Sequence, residues 1–191
     1  MKPLLFVFSL LLLLSCEKEP DKKIIFAGDS LIARWDVAYY FPGRQVLNYG
    51  VSGSGIDDLR HENINGRGAD VVILIGTNDL GYVDENHCEE YIDKYMETLM
   101  SVPADHVYLI SLLPRGFKGD LPGINDKIKH VNARLANKAD QNGMTYIDVY
   151  NLFVKGGTLN QDLSYDGLHL NDHGYQIPVS YTHLRAHETR H

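Results

Sequence analysis

The feature that most restricts the fold of this chain is a repeated switch between two hydrophobic patterns. Short runs rich in apolar and β-branched residues occur at Lys23–Ala27, Gln45–Asn48, Val71–Ile75, Val107–Ser111 and Tyr146–Val149. Three of them are apolar almost without interruption, the pattern of strands covered on both faces of a parallel sheet. Parallel strands need crossovers of a dozen or more residues, usually helical. The intervening segments have that character. Between Glu85 and Met100, Cys88, Tyr91, Ile92, Tyr95, Met96 and Leu99 recur at helical steps, and Asp84 stands where a cap is needed. From Ile124 to Gln141, Ile124, Ile128, Val131 and Leu135 share one face, with Gly143 just past the end. Weaker helical patterns cover Leu31–Tyr40 and Ile56–Ile64. The alternation predicts a three-layer α/β/α sandwich around a five-stranded parallel sheet.

In such sheets, function gathers at the carboxyl ends of the strands, so polar motifs should follow the apolar runs directly. Gly28-Asp29-Ser30-Leu31 follows the first run, Asn48-Tyr49-Gly50-Val51-Ser52-Gly53 the second and Gly76-Thr77-Asn78-Asp79 the third. Asp166-Gly167-Leu168-His169 stands near the end of the chain. Each motif alone has a plain alternative. Ser30 could merely cap a helix, Asn78 and Asp79 could make local turns, Gly53 could serve backbone geometry, and His169 could be structural. Four motifs in this order are much more specific than any one.

On these residues the chain resembles the SGNH hydrolases, the GDSL-like lipases and acylhydrolases, over roughly Ile24 to Tyr175. The four name-giving residues of that family correspond to Ser30, Gly53, Asn78 and His169. The resemblance implies a flavodoxin-like fold and serine ester hydrolysis. It also implies mainly structural hydrogen bonding for Asp29 and Asp79. One departure is Ser54, where many relatives carry Asp or Asn. No Gly-x-Ser-x-Gly elbow is present, which disfavours the α/β-hydrolase fold.

The chemistry leads to the same roles. A serine hydroxyl is a weak nucleophile until an adjacent base takes its proton. His169 is the candidate base, and Asp166, three residues earlier, can accept from the other ring nitrogen and fix the tautomer. Gly167 supports the tight backbone between them. Attack on an ester carbonyl creates an oxyanion that needs preset donors. The Ser30 and Gly53 amides and the Asn78 side-chain amide are the candidates. Trp35-Asp36 and Tyr39-Tyr40 either line an acyl or sugar pocket or pack against the sheet.

Cys88 lies among apolar neighbours in a helical pattern and reads as a small buried hydrophobe rather than a reactive thiol. His173, four residues after His169, reads as a solvated loop or helix-start residue. Neither a metal nor an organic cofactor is expected.

The two ends read differently from the middle. Lys2 and the apolar run Leu4–Leu14 have the form of a signal-peptide core, too short for a comfortable membrane span. The run closes on Leu13-Leu14-Ser15-Cys16 before a charged stretch, which resembles a bacterial lipobox with Cys16 as the lipidated residue. The expected organisation is a lipoprotein signal peptide over 1–15, a tether over 16–22, a hydrolase domain over 23–177 and a non-native tail over 178–191. The tail carries His183, His187 and His191 at steps of four. It resembles translated adapter sequence, so this histidine spacing is not read as a metal site.

With 191 residues, 44% of them hydrophobic, the chain can build one sizeable core. A net charge of −7 without a cluster of Lys and Arg argues against nucleic acid as a partner. The leading expectation is a metal-independent esterase forming an acyl-enzyme on Ser30, anchored in the bacterial cell envelope through Cys16. It would remove acetyl or other short acyl groups from carbohydrates. The alternatives are a lysophospholipase or acyl-thioesterase with the same machinery, or a surface glycan-binding lipoprotein without turnover.

Overall fold

The computed structural model describes residues 22–178. The expected signal segment, Cys16, most of the tether and nearly all of the tail lie outside them.

The sheet contains β1 (Lys23–Gly28), β2 (Val46–Gly50), β3 (Gly66–Leu74), β4 (Ala104–Ile110) and β5 (Thr145–Ile147), in the order β2-β1-β3-β4-β5. All four pairings are parallel. The order reverses between β1 and β3, the topological switch point of a flavodoxin-like sheet, where such folds open a crevice for ligands.

Successive strand side chains point to opposite faces, and the core divides accordingly. Ile25, Ala27, Val71 and Ile73 face one layer, built from α3 (Ile56–His61), α4 (Cys88–Ser101) and α5 (Ile124–Gln141). Phe26, Val72, Leu74, Ile110 and Ile147 face the other, which holds α1 (Ser30–Ala33), α2 (Val37–Tyr40) and a last helix over 172–178. The expected three-layer sandwich is therefore present. The buried face of α4 includes all six apolar residues of the sequence pattern, Cys88 among them at 7% exposure. Helix α5 has the predicted bounds. Its Asn132 side chain accepts from the Leu112 amide and donates to the Leu112 carbonyl, both at 2.9 Å, fixing α5 to the segment that leaves β4.

Some boundaries differ from expectation, each for a local reason. Strand β3 begins at Gly66 rather than Val71, because the backbone near Gly66 pairs beside Ala104 without needing apolar side chains. The predicted Leu31–Tyr40 helix is two short helices. Trp35 turns into the core between them, and the Asp36 carboxylate accepts from the Tyr39 amide (3.1 Å) to start α2. A two-residue hairpin, β6 (Val154–Lys155) with β7 (Thr158–Leu159), turns at Gly156-Gly157 and had no counterpart in the sequence reading.

Strand β1 ends where the backbone comes closest to its neighbour. A Cβ on Gly28 would lie 1.9 Å from the Leu74 carbonyl oxygen, at a φ of +153°. Only glycine lets the chain leave the sheet there and enter α1 at once. The next residue, Asp29, is fully buried, and its carboxylate caps α1 by accepting from the Leu31 amide at 2.9 Å. Burial pushes this carboxyl up to about 7, against the pull of the Leu31 amide.

Two measurements test this junction. Gly28→Ala is expected to cost about 3 kcal/mol in urea denaturation through overpacking and strain. Gly81→Ala, where a Cβ meets nothing within 4 Å, should stay within about 0.5 kcal/mol. For Asp29, the unfolded chain releases its proton near the ordinary value of 3.8 and the folded protein only near 7. The folded state thus holds the extra proton between these values, and stability falls as pH rises through that window. Relative to Asp29→Asn, the wild type should lose stability from about pH 4 to about pH 7 and then level off; a stability difference independent of pH would contradict this.

Candidate active site

The loops that leave β1, β2 and β3 and the turn over 164–170 meet at the carboxyl edge of the sheet. Ser30 is the first residue of α1 and is only 5% exposed. Its Oγ lies 3.0 Å from His169 Nε2, across 139 residues of sequence. On the other side of the ring, His169 Nδ1 lies 2.7 Å from Asp166 Oδ2.

The local backbone explains why Asp166 can hold this position. Its Oδ1 accepts from the amides of Leu168 (2.9 Å) and His169 (2.7 Å), so one carboxylate organises the turn and meets the ring. Partial burial alone would raise this carboxyl. The hydrogen bonds from the His169 ring and from the two amides outweigh that and hold it at about 2. An ionised carboxylate has no hydrogen to give. The bond therefore requires the hydrogen on Nδ1, the tautomer whose Nε2 lone pair can face the Ser30 hydroxyl.

The turn has further supports. Ser164 Oγ donates to the His169 carbonyl (2.7 Å) and accepts from the Gly167 amide (2.9 Å). Gly167 has a φ of +84°, and a Cβ there would lie 2.2 Å from the Gly116 carbonyl oxygen. The Gly116 amide in turn donates to the Gly167 carbonyl at 2.8 Å. Sequence reading missed Ser164; its position two residues before Asp166 was the available signal, since serines of this kind often close short turns.

The anion-stabilising candidates lie on the adjoining loops. The Val51 amide donates to the Gly28 carbonyl at 2.9 Å, seating the β2 loop beside the β1 loop. Gly53 follows on the exposed part of that loop, with φ +87°. Asn78 Nδ2 donates to the Ser54 carbonyl at 2.8 Å. A side-chain amide nitrogen carries two hydrogens, so one remains for a ligand. Asp79 locks the same pair of loops from the inside, accepting from the Ile56 amide (3.0 Å) and the Tyr91 hydroxyl (3.1 Å). Burial raises the Asp79 carboxyl despite these donors. Asp29 and Asp79 therefore serve as structural acceptors in this structure.

The aromatic residues after the serine divide between the two roles left open. Trp35 is 2% exposed, stacked on Tyr175 at 5.7 Å and edge-on to Phe26 at 5.3 Å, so it packs rather than lines a pocket. Tyr39 is 73% exposed, and Tyr165, next to Asp166, is 72% exposed. Asn48, inside the second motif, donates from Nδ2 to the carbonyls of Ile32 (2.8 Å) and Trp35 (2.9 Å), closing the end of α1. The Tyr175 hydroxyl donates to the Leu31 carbonyl at 2.9 Å. Sequence reading gave neither residue this role of holding the serine-bearing helix.

Among the described residues, no group of three or more His, Cys, Asp or Glu side chains is placed to hold a metal ion. His173 is exposed near the start of the 172–178 helix. Burial raises the Cys88 thiol, the opposite of what a reactive thiolate needs.

Chemically, the arrangement is a hydroxyl, an imidazole and an ionised carboxylate in series, with amide donors on the adjoining loops. That set can take a proton from the hydroxyl as a carbonyl carbon is attacked.

Comparison with known proteins agrees with the fold and the motifs. A GDSL-like lipase from Bacteroides thetaiotaomicron superposes with a TM-score of 0.70 at 23% identity, over 88% of this chain and 89% of that one. An acetylxylan esterase from Geobacillus stearothermophilus superposes with a TM-score of 0.62 at 22% identity, over 84% and 92% of the two chains. At these identities the likeness shows the fold alone. An N-acylneuraminate cytidylyltransferase from Escherichia coli is 29% identical over 162 residues, which are 81% of this chain. The chain spans 38% of the length of that relative. The GDSL-like Lipase/Acylhydrolase family matches residues 26–177, from the first strand through the histidine-bearing turn, and the chain belongs to that family.

Proposed function

We propose that this chain is a serine esterase that forms an acyl-enzyme on Ser30 and removes acetyl or other short acyl groups from carbohydrates. The observation that carries the esterase reading is the continuous series Ser30 Oγ, His169 Nε2 and Asp166 Oδ2, with contacts of 3.0 and 2.7 Å.

In this reading His169 takes the Ser30 proton as Oγ attacks the ester carbonyl. The imidazolium that forms is stabilised by the Asp166 carboxylate, which stays ionised because its own pKa is held at about 2. The tetrahedral oxyanion is received by the amides of Ser30 and Gly53 and by the remaining hydrogen of Asn78 Nδ2. His169 then returns the proton to the departing alcohol. Water, activated by the same ring, releases the acid and restores Ser30.

Three observations support the carbohydrate part of the proposal. Two exposed tyrosines, Tyr39 and Tyr165, belong to segments next to the reacting groups, and aromatic faces with a polar edge suit sugar rings. The cleft of about 510 Å³ near the turn is lined by Arg115, Phe117, Asp120 and Lys129, and neither Ser30 nor His169 forms its wall. It is therefore not read as a channel for a long acyl chain. Finally, the Geobacillus structure is that of an acetylxylan esterase, and the Escherichia relative is named for an acylated sugar. The envelope location and the lipid on Cys16 belong to the same proposal and rest on the N-terminal sequence.

The test is hydrolysis of p-nitrophenyl acetate by the full chain and by variants. Ser30→Ala and His169→Ala should each lose at least about a thousandfold in kcat. Asn78→Ala should lose about a hundred- to thousandfold with little change in KM. Equal activity in the wild type and all three variants would end this mechanism. For the substrate, acetate release from acetylated xylo-oligosaccharides is the expected result. Release of long-chain acid from a lysophospholipid, with no acetate from the oligosaccharides, would replace the carbohydrate reading with a lysophospholipase.

A further inference from the structure

One partly buried ion pair lies outside the reacting groups, yet it and the backbone beside it reach the segments that carry two of them. Arg115 follows the segment leaving β4, and its side chain is 15% exposed. Its Nη1 donates to the Thr77 carbonyl at 2.9 Å, on the residue directly before Asn78. Its Nη2 lies 2.5 Å from Asp120 Oδ1, whose side chain is 11% exposed. The other oxygen of Asp120 accepts from the Phe117 amide at 2.8 Å, closing the loop over 115–120 on itself.

The Arg115 backbone is also fixed. Asn125, in the first turn of α5, accepts from the Arg115 amide and donates to the Arg115 carbonyl, both at 2.8 Å. The next residue, Gly116, donates to the Gly167 carbonyl at 2.8 Å and lies so close that Gly167 has no room for a side chain. The dipeptide Arg115-Gly116 thus bonds on one side to the loop bearing Asn78 and on the other to the turn bearing Asp166 and His169. Surface ion pairs are usually dispensable. A shielded guanidinium that donates to a loop carbonyl and lies in ionic contact with a carboxylate ties two segments together, and its planar shape gives the bond to the carbonyl a direction as well as a distance.

We propose that Arg115 is a positioning residue: held by Asp120, it sets the spacing between the Asn78 amide and the His169 ring. Its side-chain contacts run to Thr77 and Asp120, not to Ser30, His169 or Asp166. It acts through the Thr77 carbonyl and, by way of Gly116, through Gly167. The inference rests on the esterase reading for its kinetic consequence, but the coupling of the two loops is a property of the fold that can be measured without activity.

The experiment uses the full chain and the variants Arg115→Ala, Arg115→Lys and Asp120→Asn, the last two included in case the alanine variant does not fold. Amide hydrogen exchange is followed in peptides covering 76–80 and 164–170. In the variants that fold, both segments should exchange faster by about tenfold or more, while α4 keeps its protection. Acceleration in only one segment, or in neither, would overturn the proposal. On p-nitrophenyl acetate, kcat should fall about a hundredfold in Arg115→Ala, the scale of a misplacement of about 1 Å, with KM changed less than about threefold. Added guanidinium should recover part of kcat in Arg115→Ala and none in Ser30→Ala. A loss of thermal stability with kcat intact would mean that Arg115 only holds its own loop, and would overturn the proposal. A wild type without esterase activity would defeat the esterase reading alone, and the exchange data would still decide the coupling.

Discussion

The 3.0 Å contact between the hydroxyl of residue 30 and the imidazole of residue 169 is the constraint around which this structure is arranged. Neither side chain can find the other through local sequence. Ser30 is placed by the end of β1, where Gly28 lets the chain pass against Leu74 and Asp29 caps the short helix that follows. His169 is placed by a turn with no regular secondary structure, held instead by the Asp166 carboxylate, the Ser164 hydroxyl and the backbone of Gly116. One partner belongs to the sheet and the other to a hydrogen-bonded turn, so the contact depends on the loops between them being fixed.

The fixing groups are polar, and they lie where apolar packing stops. Below the strand ends, two apolar clusters grip the sheet from either face. Above them, side chains take over the work of joining neighbouring segments. Asn48 closes α1, Asp79 joins the β2 and β3 loops, and Asn132 joins α5 to the exit of β4. Burying such groups is costly unless their hydrogen bonds are made. Once made, those bonds are directional, whereas apolar contacts are not. Directional bonds at the rim thus fix the orientation of the loops, while the apolar core beneath fixes the packing of the layers.

The electrostatics follow from the same arrangement. Asp29 and Asp166 are carboxylates at one rim with opposite environments. Asp29 is enclosed, and its pKa rises to about 7; Asp166 collects donors at a partly open turn and falls to about 2. A carboxylate that remains ionised is the one able to support a developing imidazolium. The enclosed one is suited to capping a helix, where its charge state matters less than the acceptor it presents.

Much of this was legible in the sequence. Alternating apolar runs and helical faces gave the layers, because a strand buried on both faces and an amphipathic helix leave different periods in any chain. Helix α5 was legible to its end residues, since Gly143 marks its close and its apolar stripe is regular. Ser30, Gly53 and Asn78 were legible in motifs placed directly after strands, and Asp166 and His169 as a closely spaced pair near the end of the chain. What the sequence could not carry was anything decided by contacts between distant segments. Trp35 and Tyr39 lie in one helical pattern, yet one is core and the other is solvent-facing, because only the assembled sheet defines which direction is inward. The early start of β3 depends on partners beside Ala104, not on its own side chains. Arg115 and Asp120 belong to none of the sequence motifs, and only the fold brings the Thr77 carbonyl to the guanidinium. Periodicity is written within a window of one element and survives in the sequence; direction and distance between elements arise only when the layers close.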